Sequence, residues 1–424
     1  MRVLHVLNSL RGGAAMSALQ LMRTSAAIGS PVEHYVVYPG TFGRRRDDLS
    51  GCARDWACLP LRTWHRTGAP AGLRGALRHL RQERLSALLH STYSCMERLV
   101  SRWDIDVIHT NTSVILDAAR FAAYAGIPHV WHIRERIGSA GFVNFPVPDE
   151  TVARAVWDLS SSIPVISRYV QEFFEFHGVG RKTVLVHDGV DPSIFGSRAA
   201  MDRGHELRKA WGIPEGAVVV GMVGGLATPA KRHDIFLRCA SAIARVFPDV
   251  WFVVVGAVPL RRGRWLSDPA AYSTKVLRLA EDLGLGRRLV FAGYEEDAPA
   301  VWNAMNVYVH PCKVEAFSRS ILEAPLAGVP VVAAAAGGNV EAIDDGRTGT
   351  LVPPDEPEAF SEAVGRLLND PQLAASQASE AAREVSEKFS VERYCRRMEA
   401  VLTQAVVAPS SAVGRSGPVP AERA

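Results

Sequence analysis

Two carboxylates, Glu315 and Glu323, stand eight positions apart with Ser318 between them. Ser318 ahead of Arg319, Ser320, Ile321 and Leu322 reads as an N-cap followed by a first helical turn. One acid therefore precedes a helix, and the other lies about a turn and a half within it. A helix N-terminus offers unpaired backbone N–H groups and the positive end of a dipole, so a phosphate can rest between the two acids. The carboxylate on the helix can accept hydrogen bonds from sugar hydroxyls, and the one before it can reach whatever the phosphate carries. A phosphate flanked by two polyols is the chemistry of a nucleotide-sugar. After Pro325, residues 326–328 close the helix. The apolar run Val329-Pro330-Val331-Val332-Ala333, ending at Gly337-Gly338, has the composition of a strand buried on both faces of a parallel sheet.

These residues resemble the donor-site signature of the retaining glycosyltransferases of the GT-B fold, the group 1 or family 4 type. In that family E-G-F-G-x-x-x-x-E is followed by a G-x-P-V-V strand and later by E-x-I-x-D-G-x-T-G. The chain matches at Glu315, Phe317, Glu323, Ala324, Ala327, Gly328, residues 330–332, Glu341, Ile343, Asp345, Gly346, Thr348 and Gly349. The two glycines that follow the first glutamate in the family are Ala316 and Ser318 here. Upstream, Asp188-Gly189-Val190-Asp191 with Phe195 resembles the family's N-G-V-D-x-x-x-F. Lys231 fits the lysine that neutralises the donor diphosphate, while Gly225 stands where the family has an assisting arginine.

The resemblance implies an α/β protein of GT-B architecture, two Rossmann-like doubly wound parallel-sheet domains facing a cleft. It implies transfer of a sugar from a nucleoside-diphosphate-sugar to an acceptor hydroxyl with retention, using no metal and no cofactor beyond the donor itself. Glu323 would take the ribose hydroxyls, Glu315 the hydroxyls of the transferred sugar, Lys231 the diphosphate, and the backbone at Phe317, Ser318 and Arg319 the phosphate oxygens. Arg232 or Arg319 would supply the charge that Gly225 lacks, because the leaving diphosphate gains negative charge as the glycosidic bond breaks. The expected catalytic set is Glu315, Lys231, His132 and Arg134.

The elements that position these residues alternate strand and helix throughout, the pattern of doubly wound domains. Residues 3–7, the turn at Gly12-Gly13 and an amphipathic run over 16–27 read as strand, glycine loop and helix. Gly12 and Gly13 either face the donor phosphate or serve a tight turn only. The loop is not G-x-G-x-x-G, which argues against a nicotinamide enzyme. His132 and Arg134 stand on a strand over 127–135, at the carboxyl end where ligands gather in open α/β sheets, and a last strand of the first domain is expected over 184–191. Either can contact the acceptor or the transferred sugar, and packing is the alternative for a histidine there. Residues 138–149 read as a loop able to act as a lid. The expected domains are 1–196 for the acceptor, 205–388 for the donor, a terminal helix over 389–406 that crosses back to the first domain, and a disordered tail over 407–424, with a linker at 192–204.

At 424 residues and 48% hydrophobic, the chain can bury two cores, and a net charge of +4 does not call for nucleic acid. Six scattered cysteines form no C-x-x-C pair, which suits a reducing cytoplasm and suggests neither zinc nor disulfides. No signal peptide or transmembrane run is expected. Residues 44–102 hold twelve arginines against five acids, with leucines at helical spacing over 73–89. This is either peripheral contact with the inner face of a membrane or a helix covering the sheet. The acceptor is left open between a carbohydrate, a lipid-linked saccharide and a small molecule. Two rival functions remain compatible with the same motifs: a nucleotide-sugar epimerase or phosphorylase, and a non-catalytic nucleotide-sugar-binding protein.

Overall fold

The computed structural model describes residues 1–10, 12–39, 47–64, 91–138, 141, 143–259 and 269–408. Contacts divide the chain into two units, one gathering the described residues up to Val186 with those from Tyr394 on, the other running from His187 to Arg393.

In the first unit, β1 (Arg2–Val6), β2 (Glu33–Tyr38), β3 (Asp55–Cys58), β4 (Val107–Thr110) and β5 (His129–Trp131) form one sheet in the order β3-β2-β1-β4-β5. Every pairing is parallel. The parallel pair β6 (Ile163–Val165) and β7 (Thr183–Leu185) is linked to this sheet by bridges from Val130 to Ser162 and from Ile133 to Val165. Parallel neighbours need crossovers, and the helices Gly13–Ala27 and Asp117–Ala125 supply two of them. Leu4, Val6, Ile108 and Phe121 fill one core of the unit. Val3, Val107 and Val130 fill another with Tyr394, Met398 and Leu402 of the terminal helix Val391–Val407.

The second unit holds six parallel strands: β8 (Val219–Val223), β9 (Trp251–Val255), β10 (Leu289–Gly293), β11 (Val307–His310), β12 (Val331–Ala334) and β13 (Thr350–Val352). Their order is β10-β9-β8-β11-β12-β13. The progression reverses between β8 and β11, so the loops leaving those two strands diverge and a crevice opens at their carboxyl ends. Lys231 lies on the first of these loops and Glu315 on the second. The strands read as unbroken apolar runs because both faces are covered: Val220, Val254 and Val332 lie in one cluster, Val219, Val253 and Val331 in another.

Three expectations need correction. Residues 192–204 are not an open linker. They hold a 3-10 turn, Pro192–Ile194, and the start of the helix Arg198–Ala210, whose cap is Ser197 Oγ accepting from Ala200 N at 3.2 Å. Gly204 lets that helix approach Asn303, since a Cβ there would lie 2.8 Å from its backbone. The strand expected over 184–191 ends at Leu185, and residues 187–196, drawn with the first domain, fall in the second unit. The edge strand β3 was not foreseen. The leucine-rich segment 73–89, residues 44–46, 65–72 and 90 of the basic region, the basic residues at 261–264 and the tail beyond Ala408 lie outside the described residues.

Candidate functional site

The loop after β8 ends in the 3-10 turn Pro229–Lys231, capped by Thr228 Oγ1 accepting from Ala230 N at 3.3 Å. His233 then opens a helix, and its Nε2 donates to Gly224 O at 2.9 Å, pinning the helix start to the strand end. Lys231 Nζ is thereby aimed across the switch point, where it donates to Glu315 Oε2 at 2.5 Å. The pair is largely sheltered, with side chains 29% and 15% exposed. Burial alone would raise the Glu315 carboxyl, but the Lys231 charge and then His310 outweigh it and hold the acid below its usual range. For the lysine burial is the largest single effect and lowers it, but Glu315 and Cys312 together outweigh burial and hold it above its ordinary value.

Glu315 is set in place by backbone. Gly338 N donates to its carbonyl at 2.8 Å, and a Cβ on Gly338 would lie 2.0 Å from Ala316 O. Only glycine permits that approach. Phe317 packs its ring 4.9 Å from His187 and 5.5 Å from Phe389, and His187 Nε2 lies 3.1 Å from Glu341 Oε2.

The helix Arg319–Leu326 starts where expected, yet Ser318 does not cap it with its side chain. Its hydroxyl bonds Ser320 Oγ at 2.7 Å, and Ser320 in turn meets the Tyr308 hydroxyl at 2.7 Å, a chain that draws Ser318 away from the first-turn amides. Those N–H groups keep no side-chain cap, the condition under which an anion is welcome. Glu323, one turn in, accepts from Arg319 at 3.2 Å on one oxygen and from the buried Trp302 indole at 3.2 Å on the other. Arg319 also donates to Gly189 O at 2.9 Å. Arg232, in the left-handed region at φ 58°, is held by Asp234 at 2.9 Å and contacts Asp355. Both guanidiniums expected to compensate for Gly225 are thus already engaged.

The remaining predicted residues lie in the first unit. Gly12, at φ 85°, is the N-cap of Gly13–Ala27 and places that helix at the carboxyl end of β1. His132 is fully buried just past β5, with neither ring nitrogen partnered among the described residues. Its ring stacks 5.8 Å from that of His109. Burial, then the Arg134 charge, pushes its pKa well down, so His132 is neutral. Arg134 is buried beside it, and Glu135 accepts from Thr112 Oγ1 at 2.8 Å and Ser113 N at 3.0 Å, tying the loops after β4 and β5 together.

The residues not foreseen are Trp302, His187, His310 and Cys312. The period of a strand was the available signal for one of them. Tyr308 and His310, two apart on β11, share a face and lie 2.7 Å apart through the phenol oxygen and Nδ1.

Residues 205–385 match the glycosyl transferases group 1 family. Over 298 residues the chain is 30% identical to a GDP-mannose-dependent alpha-(1-6)-phosphatidylinositol monomannoside mannosyltransferase of Mycolicibacterium smegmatis, covering 67% of this chain and 72% of that one. It is 35% identical over 210 residues to a D-inositol 3-phosphate glycosyltransferase of Mycolicibacterium paratuberculosis, covering 49% of this chain and 44% of that one. Among solved structures, Anabaena HepE in complex with UDP and glucose superposes with a TM-score of 0.74 at 22% identity, over 95% of this chain and all of that one. Sucrose-phosphate synthase from Thermosynechococcus elongatus gives 0.71 at 19%, over 96% of this chain and all of that one. These two share the GT-B fold with it. Together with the mannosyltransferase alignment, the motif residues gathered around β8 and β11 place this chain in the group 1 glycosyltransferases.

Proposed function

We propose that the chain transfers a sugar from a nucleoside diphosphate to an acceptor hydroxyl with retention of configuration, without a metal. The observation that carries this is the Lys231–Glu315 pair beside the uncapped start of Arg319–Leu326. On donor binding Lys231 turns from Glu315 to the diphosphate, where the charge that develops as the bond from the anomeric carbon to phosphate oxygen breaks is met by a fixed ammonium. Glu315, released, accepts from hydroxyls of the transferred sugar. Glu323, oriented by Arg319 and Trp302, accepts from the ribose. The acceptor oxygen attacks on the face the phosphate leaves, and its proton passes to the departing phosphate oxygen. Gly12, Gly13, His132 and Arg134 are proposed to serve the acceptor, and Arg232 to support the loop that carries Lys231.

GDP-mannose is the first donor to try, since the mannosyltransferase relative depends on it, and UDP-glucose the second. That relative's name also suggests a lipid-linked polyol as acceptor, reached at the inner face of a membrane by a peripheral protein. Among the described residues no helix is long and apolar enough to cross a membrane.

Thermal melting with GDP, UDP and their sugars tests the reading, because a ligand of the folded state raises the melting temperature by mass action. A rise with one nucleotide, abolished in Glu323→Ala and Lys231→Ala, is the expected result. No rise with any of them overturns it. Retention is read separately from the anomeric configuration of the product by NMR, and an isomerised donor formed without acceptor would mark an epimerase instead.

A further inference from the structure

We propose that His310, Cys312 and Glu315 form a binding site for a divalent metal ion of the zinc class, and that an ion held there excludes the sugar donor. One ligand atom from each of the three lies within 4.8 Å of the others. Tetrahedral zinc spaces its ligands about 3.3–3.8 Å apart, so side-chain rotations of about an ångström close the set.

His310 makes this more than a cluster. It is 2% exposed, and its Nδ1 lies 2.7 Å from the Tyr308 hydroxyl, which reaches Ser320 Oγ on its other side. A phenol that donates to the serine accepts from Nδ1–H, which fixes the lone pair on Nε2. That nitrogen faces Glu315 Oε2 at 3.7 Å, too far for a hydrogen bond, and has no partner among the described residues. A buried imidazole with one nitrogen oriented by a hydroxyl and the other aimed bare at a carboxylate and a thiol has the second-shell arrangement of a metal ligand. Sulfur and imidazole nitrogen beside a single carboxylate select zinc-like ions over magnesium or calcium, which require oxygen.

Lys231 is the competitor. Its ammonium occupies the Glu315 oxygen that the ion needs, but it sits on a flexible stem and is 29% exposed, so it can swing away. Binding forms a bond from Sγ to the metal and releases the thiol proton to solvent, with no change of oxidation state. Exclusion of the donor rests on the assignment of Glu315 and Lys231 proposed above. Ion and donor then compete for the same carboxylate.

Cobalt(II) is the probe, because thiolate ligation gives it a charge-transfer absorption. The full chain titrated with cobalt(II) should develop that band and lose it to zinc. Cys312→Ser should abolish the band, and Tyr308→Phe should weaken binding about 10- to 100-fold. Lys231→Ala leaves all three ligands intact and should tighten binding about tenfold by removing one nearby positive charge. Absence of the band in the wild-type chain, its persistence in Cys312→Ser, or looser binding in Lys231→Ala would each overturn the site. A band that behaves as expected but is not displaced by the nucleoside-diphosphate-sugar that raises the melting temperature keeps the metal site and overturns the exclusion. A band with no thermal response to any nucleotide keeps the site while the donor assignment fails.

Discussion

Gly225 stands where the resemblance expects an assisting arginine, and no side chain there can meet a diphosphate. Arg232 and Arg319 do not fill the gap freely, the one held by Asp234 and the other by Glu323 and the Gly189 carbonyl. In the proposed reaction Lys231 would therefore stabilise alone a developing charge that, by the resemblance, two cations share. Restoring the second should help. A Cβ built on Gly225 would meet nothing closer than backbone atoms of Ala257 at 3.5 Å, which is ordinary contact, and no positive φ opposes a side chain. Gly225→Arg is expected to raise kcat/KM for the donor about tenfold, below the hundredfold or more that a fixed donor contributes where the whole site evolved around it. Unchanged or lower kcat/KM in a stably folded variant would show that the loop already neutralises its ligand by other means.

At the scale of elements, the crossing of two loops depends on glycine rather than on any charged group. The turn after β12 approaches the Glu315–Phe317 backbone so closely that Gly338 N bonds Glu315 O at 2.8 Å. Gly338→Ala would drive a methyl against Ala316 O, with a separation of 2.0 Å before relaxation. Backbone cannot yield as a side chain does, so the loop should shift at a cost of about 1–3 kcal/mol. The expected outcome is a lower urea midpoint together with a raised donor KM. A lowered midpoint with KM unchanged would mean that Glu315 does not touch the donor. Much of this arrangement was legible beforehand. Glu315, Glu323 and the start of the helix at Arg319 follow from local spacing, and the apolar runs of β8, β11 and β12 announce a doubly covered parallel sheet. What could not be read was non-local. Ser318 looks like a cap until Ser320, itself bonded to Tyr308, takes its hydroxyl, and the indole of Trp302 reaches Glu323 only through the fold. The stretch 198–204 reads as a linker because its helix buries little besides Ala200 and Gly204. The guanidinium of Arg319 has the right charge for a diphosphate, and only its partners show that it is spent on Glu323.

For the molecule as a whole, the two units differ in how they should meet acid. The first carries a row of buried histidines across its sheet: His34 Nδ1 to His5 Nε2 at 2.9 Å, His5 Nδ1 to His109 Nδ1 at 2.9 Å, then His132 stacked on His109. His129 is buried as well, bonded to Thr110 Oγ1 at 2.8 Å. Burial is the main cause that lowers all five, to about 4 for His34 and His129 and well below the ordinary value for His5, His109 and His132, where neighbouring imidazoles at His5 and His109, and Arg134 at His109 and His132, further disfavour a proton. In the second unit burial lowers His310, also to about 4, and His233. A histidine neutral in the fold and protonated when unfolded makes the unfolded state bind more protons, so stability rises with pH and is lost as pH falls below about 6.5. Each such group contributes a slope of about 1.4 kcal/mol per pH unit between its two pKa values. Among the described residues, five against two gives the first unit the steeper loss in the window from pH 6.5 to about 4, before the lowered carboxylates such as Glu315 begin to count. Hydrogen exchange followed by mass spectrometry should therefore show β1, β2 and β4 losing protection at a higher pH than β8, β11 and β12. If the order were reversed, or both sheets opened together across that window, the histidine row would not be what limits the molecule in acid.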